Sequence, residues 1–94
     1  MNKKQINKEI DEVYSAIKAE IESRTENYCQ SWWLTSKWGG RLKNKYSTPK
    51  LNRRAKVLVK EGYLSINKKD TSTSKGTSYL LTNKTYKRKS AMLK

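Results

Sequence analysis

Histidine and phenylalanine are absent from this 94-residue chain, and cysteine and proline occur once each. One cysteine cannot close an internal disulfide, and one cysteine without histidine leaves no plausible zinc site. Cys29 also has no imidazole to activate it as a nucleophile, so it reads as a small buried apolar residue. No apolar run approaches the ~20 residues of a membrane span, and the N-terminus lacks the unbroken apolar stretch of a signal peptide. Carboxylates are few, and there is no glycine-rich phosphate loop or metal cluster. An enzyme is therefore not expected, nor is a cofactor. Apolar residues make up only 34% of the chain, so the core must be small and completed by aromatics, which three Trp and six Tyr can supply. The expectation is one domain over residues 1–94, soluble and cytoplasmic.

What the chain has in excess is positive charge. It carries 22 Lys and Arg against 8 Asp and Glu, a net of +14. The distribution is uneven. Residues 1–26 hold Lys3, Lys4, Lys8, Lys18 and Arg24 against Glu9, Asp11, Glu12, Glu20, Glu22 and Glu26. That leaves 17 of the 22 basic residues, and only Glu61 and Asp70 of the acidic ones, to the rest of the chain. Such asymmetry points to a polyanionic partner, nucleic acid above all, and to a nucleoid-associated location. A membrane surface fits less well, because no helix pairs its basic residues with a broad apolar face.

Periodicity divides the chain. Ile6, Ile10, Val13, Tyr14, Ile17 and Ile21 recur on one face and predict a helix from Lys4 to about Ser23, with Lys8, Asp11, Glu12, Lys18 and Glu22 opposite. That stripe either lids the core or pairs with a second copy, and a homodimer through Ile6, Ile10, Val13 and Ile17 is the preferred assembly. Trp32, Trp33 and Leu34 form a strand or a tight connection. Thr35 and Ser36 suit an N-cap for a short helix over Lys37 to Lys45, with Trp38 and Leu42 on one face. Gly39 and Gly40 would cost that helix roughly 1 kcal/mol each, unless a crossing helix needs the space or the pair breaks the helix.

Ser47-Thr48-Pro49 marks the clearest helix start. Leu51, Ala55 and Leu58 form its inner face, and Gly62 stops it. The period then changes to two: Leu64 and Ile66 before a long turn over Lys68–Gly76, Tyr79 and Leu81 after it. Arg54 lies close to the inner face and is expected to pair with Glu61 or a first-helix acid. The tail, 83–94, has no clear period and reads as a frayed basic arm, with a short terminal helix as the alternative.

Leu51-Asn52-Arg53-Arg54-Ala55-Lys56-Val57-Leu58-Val59-Lys60-Glu61-Gly62-Tyr63-Leu64 resembles the recognition helix and first wing strand of winged helix-turn-helix regulators of the MarR and PadR groups. Ser78-Tyr79-Leu80-Leu81-Thr82 is similar to the returning wing strand, and Thr35 to Ser47 resembles the first helix of the motif. The fold so implied is α+β, mostly α: three helices plus a two- or three-stranded wing.

The resemblance implies binding of double-stranded DNA, and transcriptional regulation with it. The recognition helix would enter the major groove with its N-terminal half foremost. That places Lys50, Asn52 and Arg53 nearest base edges, with Lys56 further along. Ser47 and Thr48 would hold a phosphate at the helix start. Lys37, Arg41 and Lys43 would contact the backbone, as would Lys68, Lys69 and Lys75 from the wing. Two alternatives stand beside this. One is a protein-interaction module using an exposed Trp32/Trp33 or Val57/Val59 patch. The other is an RNA or single-strand binder that stacks bases on tryptophan.

Overall fold

The computed structural model describes residues 2–67 and 77–90. Its elements are α1 (Lys3–Glu22), β1 (Tyr28–Gln30), α2 (Ser31–Thr35), α3 (Thr48–Lys60), β2 (Leu64–Ile66) and β3 (Ser78–Leu81). The class is α+β: three helices against a small antiparallel sheet in which β3 lies between β1 and β2. Cys29, Tyr79 and Ile66 stand opposite one another across the sheet, and paired residues share a face. Cys29 and Tyr79 are buried on that face, while Tyr28, Leu80 and Ser65 on the other are half-buried or exposed.

α1 begins where Asn2 accepts a bond from the Gln5 N–H at 2.8 Å, satisfying one of the free first-turn donors. Its stripe is consumed by the chain's own core: Ile10, Val13 and Ile17 are at most 2% exposed, beside Leu34, Leu51, Ala55 and Leu58. Ile6 is partly buried against the same cluster. Three of the four residues expected to carry a homodimer are therefore spent inside the chain's own core, and Ile6 alone of them keeps some exposed surface.

α3 ends in a Schellman turn. The Tyr63 N–H reaches Leu58 O at 2.9 Å and the Gly62 N–H reaches Val59 O at 3.1 Å. Gly62 has φ +88°, a conformation that costs a residue with a Cβ about 1–2 kcal/mol.

The middle helix is not where its spacing placed it. The helical turn is Ser31–Thr35, with the tryptophans in it, and residues 37–45 are a succession of turns. Gly39 and Asn44 take positive φ, +99° and +66°, which no helix accommodates. Gly40 lies so close to α2 that a Cβ would sit 2.4 Å from Leu34 O. The glycine pair thus breaks the helix and permits a close approach at once. Leu42 is buried, as expected of an inward face, but Trp38 is 97% exposed. No tryptophan is in the buried core. Tyr14, Tyr46, Tyr63 and Tyr79 are the aromatics that complete it.

The segment after β3 is packed as far as Ser90. Tyr86 stacks on Tyr14 with ring centroids 4.0 Å apart and meets Tyr63 edge-on at 4.9 Å. Asp11, expected on the solvent face of α1, is buried beneath this segment. It accepts bonds from the Tyr86 and Ser90 hydroxyls and from the N–H groups of Lys89 and Ser90. Lys84 Nζ donates to Glu61 O at 2.7 Å, Thr82 Oγ1 to Gly62 O at 2.6 Å, and Lys89 pairs with Glu61. The expected frayed arm is, over 83–90, a strap across α1 and the end of α3.

Candidate nucleic-acid interface

The inner residues of α3, Leu51, Ala55 and Leu58, are completely buried, which fixes the roll of the helix. Arg53, Lys56 and Lys60 recur at helical spacing on the opposite side and are exposed. None of the three forms an ion pair among the described residues, and together they span about 10 Å of helix. The adjacent Arg54 behaves differently. Its Nε donates to Glu9 Oε1 at 2.8 Å, and its side chain is only 15% exposed. This is the first-helix acid that its position pointed to.

The first turn of α3 carries less open chemistry than its residue types suggest. Ser47 is the N-cap, and its hydroxyl accepts from the Lys50 N–H at 3.3 Å. Pro49 offers no N–H. The Thr48 hydroxyl is shared with Thr35 at 2.9 Å. Lys50 is half-buried, its Nζ 3.2 Å from Glu9 Oε2 and over the Tyr46 ring. Asn52 accepts from the Tyr79 hydroxyl at 2.7 Å. Of the residues expected nearest base edges, only Arg53 is therefore exposed with no partner among the described residues. Lys50 would have to leave Glu9, and Asn52 keeps only its amide N–H groups to offer.

The preceding loop divides in the same way. Lys37 and Lys43 are exposed and unpaired among the described residues. Arg41 is held by Glu20 Oε1 at 3.1 Å and by Ser23. Lys45 Nζ pairs with Glu12 at 2.7 Å, and the Tyr46 hydroxyl donates to the same carboxylate at 2.8 Å. Lys68, Lys69 and Lys75, expected on a wing, lie outside the described residues.

Three acids of α1 are thereby occupied, while Glu22 at its end is exposed with no ion pair among the described residues. Glu9 takes Arg54 and Lys50, Glu12 takes Lys45, and Glu20 takes Arg24 and Arg41. Burial pushes the pKa of Glu9 up, but the bonds from Arg54, Lys50 and Gln5 outweigh it and hold the carboxyl below its ordinary range. Glu12 follows the same pattern through Lys45 and Tyr46. Among the described residues, what remains unneutralised on the side of α3 away from α1 is positive.

Lys60 and Trp38 were not singled out as contacts by sequence reasoning. Lys60 could have been found, since it continues the Arg53–Lys56 spacing by one turn. Trp38 was misplaced because a helix was assumed around it. Trp33 is half-buried, with the Arg24 guanidinium 4.1 Å above its ring and Tyr28 beside it, and Trp32 is 41% exposed. Cys29 is buried, its thiol pKa pushed up to about 12 by desolvation, which removes it as a nucleophile. Among the described residues no cluster of acids and thiols could hold a metal ion, and no helix is long and apolar enough to cross a membrane.

Between α3 and the sheet lies a groove of about 400 Å³ floored by Val59, Ile66 and Tyr79 and edged by Lys56 and Lys60. Comparison of the chain with protein-family models, with curated proteins and with solved structures found no match.

Proposed function

We propose that this chain binds double-stranded DNA through the outer face of α3, as a small winged-helix protein that regulates transcription. The observation that carries the reading is the exposed stripe Arg53–Lys56–Lys60, without an ion pair among the described residues, set on a helix whose roll is fixed by the core and by Glu9. The element order helix, strand, helix, helix, strand, strand, with the last strand central, is compatible with a winged-helix layout. Free cations neutralise phosphates and release counterions, so affinity should fall steeply with salt. Arg53 is the residue best placed for bidentate contact with a guanine edge.

The test is a titration of labelled duplex at rising salt, followed by selection of bound duplexes from a random pool. Arg53→Ala should relax the selected sequence, and Lys60→Ala should weaken all duplexes alike. No preference at low salt for duplex over an acidic polypeptide would sink the reading. The groove over Val59, Ile66 and Tyr79 favours a second one, a protein-interaction module that seats an apolar side chain there.

A further inference from the structure

Trp38 is the most exposed large apolar side chain among the described residues, at 97%. It is not carried on a loose segment. Its N–H donates to Ser36 Oγ at 3.1 Å, and the Gly40 N–H donates to Ser36 O at 3.0 Å. The Leu42 N–H closes the loop onto Leu34 O at 2.8 Å, with Gly40 wedged against the same carbonyl. The loop springs from the end of α2 and returns to the start of α3, and the Thr35–Thr48 hydroxyl bond ties those two points together. An indole is thus held out in water beside the N-terminus of α3, with both ring faces open.

Its surroundings are cationic. Lys37 precedes it and Lys43 lies further along the same loop, both exposed and unpaired among the described residues. The α1 acids that face the loop are already taken, Glu20 by Arg41 and Arg24, Glu12 by Lys45. A flat open ring on a loop that also carries exposed lysines matches one chemistry well: a base to stack on and a phosphate chain to follow. An intact duplex hides the faces of its internal bases, so the ring needs an unpaired one.

We propose that Trp38 is a stacking platform for an unpaired base, with Lys37 and Lys43 as phosphate contacts. The nucleic acid this chain holds best is then a duplex with a single-stranded extension. The proposal rests on the duplex reading of α3 for where the paired part lies. Trp38 supplies affinity without sequence choice, because every base has a π-face.

The experiment compares a blunt duplex, the same duplex with a single-stranded thymidine extension, and oligothymidine alone. Each is titrated against the wild-type chain, Trp38→Leu and Trp38→Tyr. The wild type should bind the extended duplex about tenfold more tightly than the blunt one. Trp38→Leu, which keeps an apolar side chain but no ring, should bind both equally at the blunt affinity. Trp38→Tyr should retain most of the difference. Tryptophan emission should be quenched by oligothymidine in the wild type and not in Trp38→Leu. An equal affinity of the wild type for blunt and extended duplexes overturns the proposal, and so does a preference that survives in Trp38→Leu. Binding of oligothymidine through Trp38 with no binding of blunt duplex supports the platform and overturns the duplex reading of α3. No binding of any of the three overturns both.

Discussion

Arg54 Nε lies 2.8 Å from Glu9 Oε1, while Arg53, one residue earlier, is exposed with no ion-pair partner among the described residues. Two neighbouring arginines on one helix thus face opposite tasks. Arg54→Ala should lower unfolding stability by about 1–2 kcal/mol, because it leaves a nearly buried carboxylate with Lys50 as its one remaining cationic partner among the described residues. Arg53→Ala should change stability by less than about 0.5 kcal/mol, as exposed substitutions usually do, yet weaken duplex binding. Urea unfolding and duplex titration of both variants check the separation. Equal losses of stability would contradict the assignment.

Stability should fall on acidification. Burial raises the carboxyl pKa of Glu9, Asp11 and Glu12, but hydrogen bonds from Arg54, from Ser90 and Tyr86, and from Lys45 outweigh it. All three end below their ordinary values of 4.5, 3.8 and 4.5. A carboxyl depressed in the folded state stabilises fully above its unfolded pKa, and the contribution is lost as pH falls through the folded one. Melting temperature should therefore be steady from pH 7 to about 5 and drop below about 4.5. Asp11→Asn should remove part of that drop. A melting temperature flat down to pH 3 would refute the linkage.

The strap over α1 depends on Asp11. Its carboxylate gathers two hydroxyls and two backbone N–H groups from Tyr86, Lys89 and Ser90. Asp11→Ala should leave those donors unpaired and release the segment. Limited trypsin digestion should then cut at Lys87 or Arg88 much sooner than in the wild type, before any cut within α1. Tyr86→Phe removes a single bond and should cost about 1 kcal/mol. Unchanged digestion of Asp11→Ala would show that the ring stack on Tyr14 holds the strap alone.

Gly40→Ala should be among the most damaging small substitutions. Its Cβ would meet Leu34 O at 2.4 Å and Leu34 C at 2.7 Å, both backbone atoms with little freedom to withdraw. Relieving the clash means opening the Leu42–Leu34 bond, so a loss of about 2 kcal/mol or more is expected. A Gly40→Ala protein that melts with the wild type would show that this loop yields freely.

The elements that could be read in the sequence were those with local rules. α1 and α3 have unbroken helical spacing and recognisable starts and stops, and β2 and β3 have period-two alternation beside turn residues. The class, α+β with two long helices and a hairpin, followed from them, while the third helix was expected over 37–45 and lies instead at Ser31–Thr35. Residues 28–45 resisted because their conformation is set by contacts rather than by period. β1 exists because β3 lies next to it, and the Trp32–Trp33 turn is helical because Ser31 is anchored to Thr77 by two bonds. The strap was illegible for the same reason: Asp11 and Tyr86 are 75 positions apart and share no pattern. Among the candidate contacts, residue type could not distinguish Arg53, exposed with no ion-pair partner among the described residues, from Lys50 and Arg41, which belong to Glu9 and Glu20.

β3 is the last strand along the chain and the middle one in the sheet. Neither β1 nor β2 pairs with the other, so both wait on residues 78–81 for every inter-strand bond they make. A nascent chain that has not yet reached Leu81 therefore holds two orphan strand edges and an α1 stripe with part of its cover missing. A chain cut short before Ser78 should therefore be a substrate for proteolysis rather than a smaller working domain.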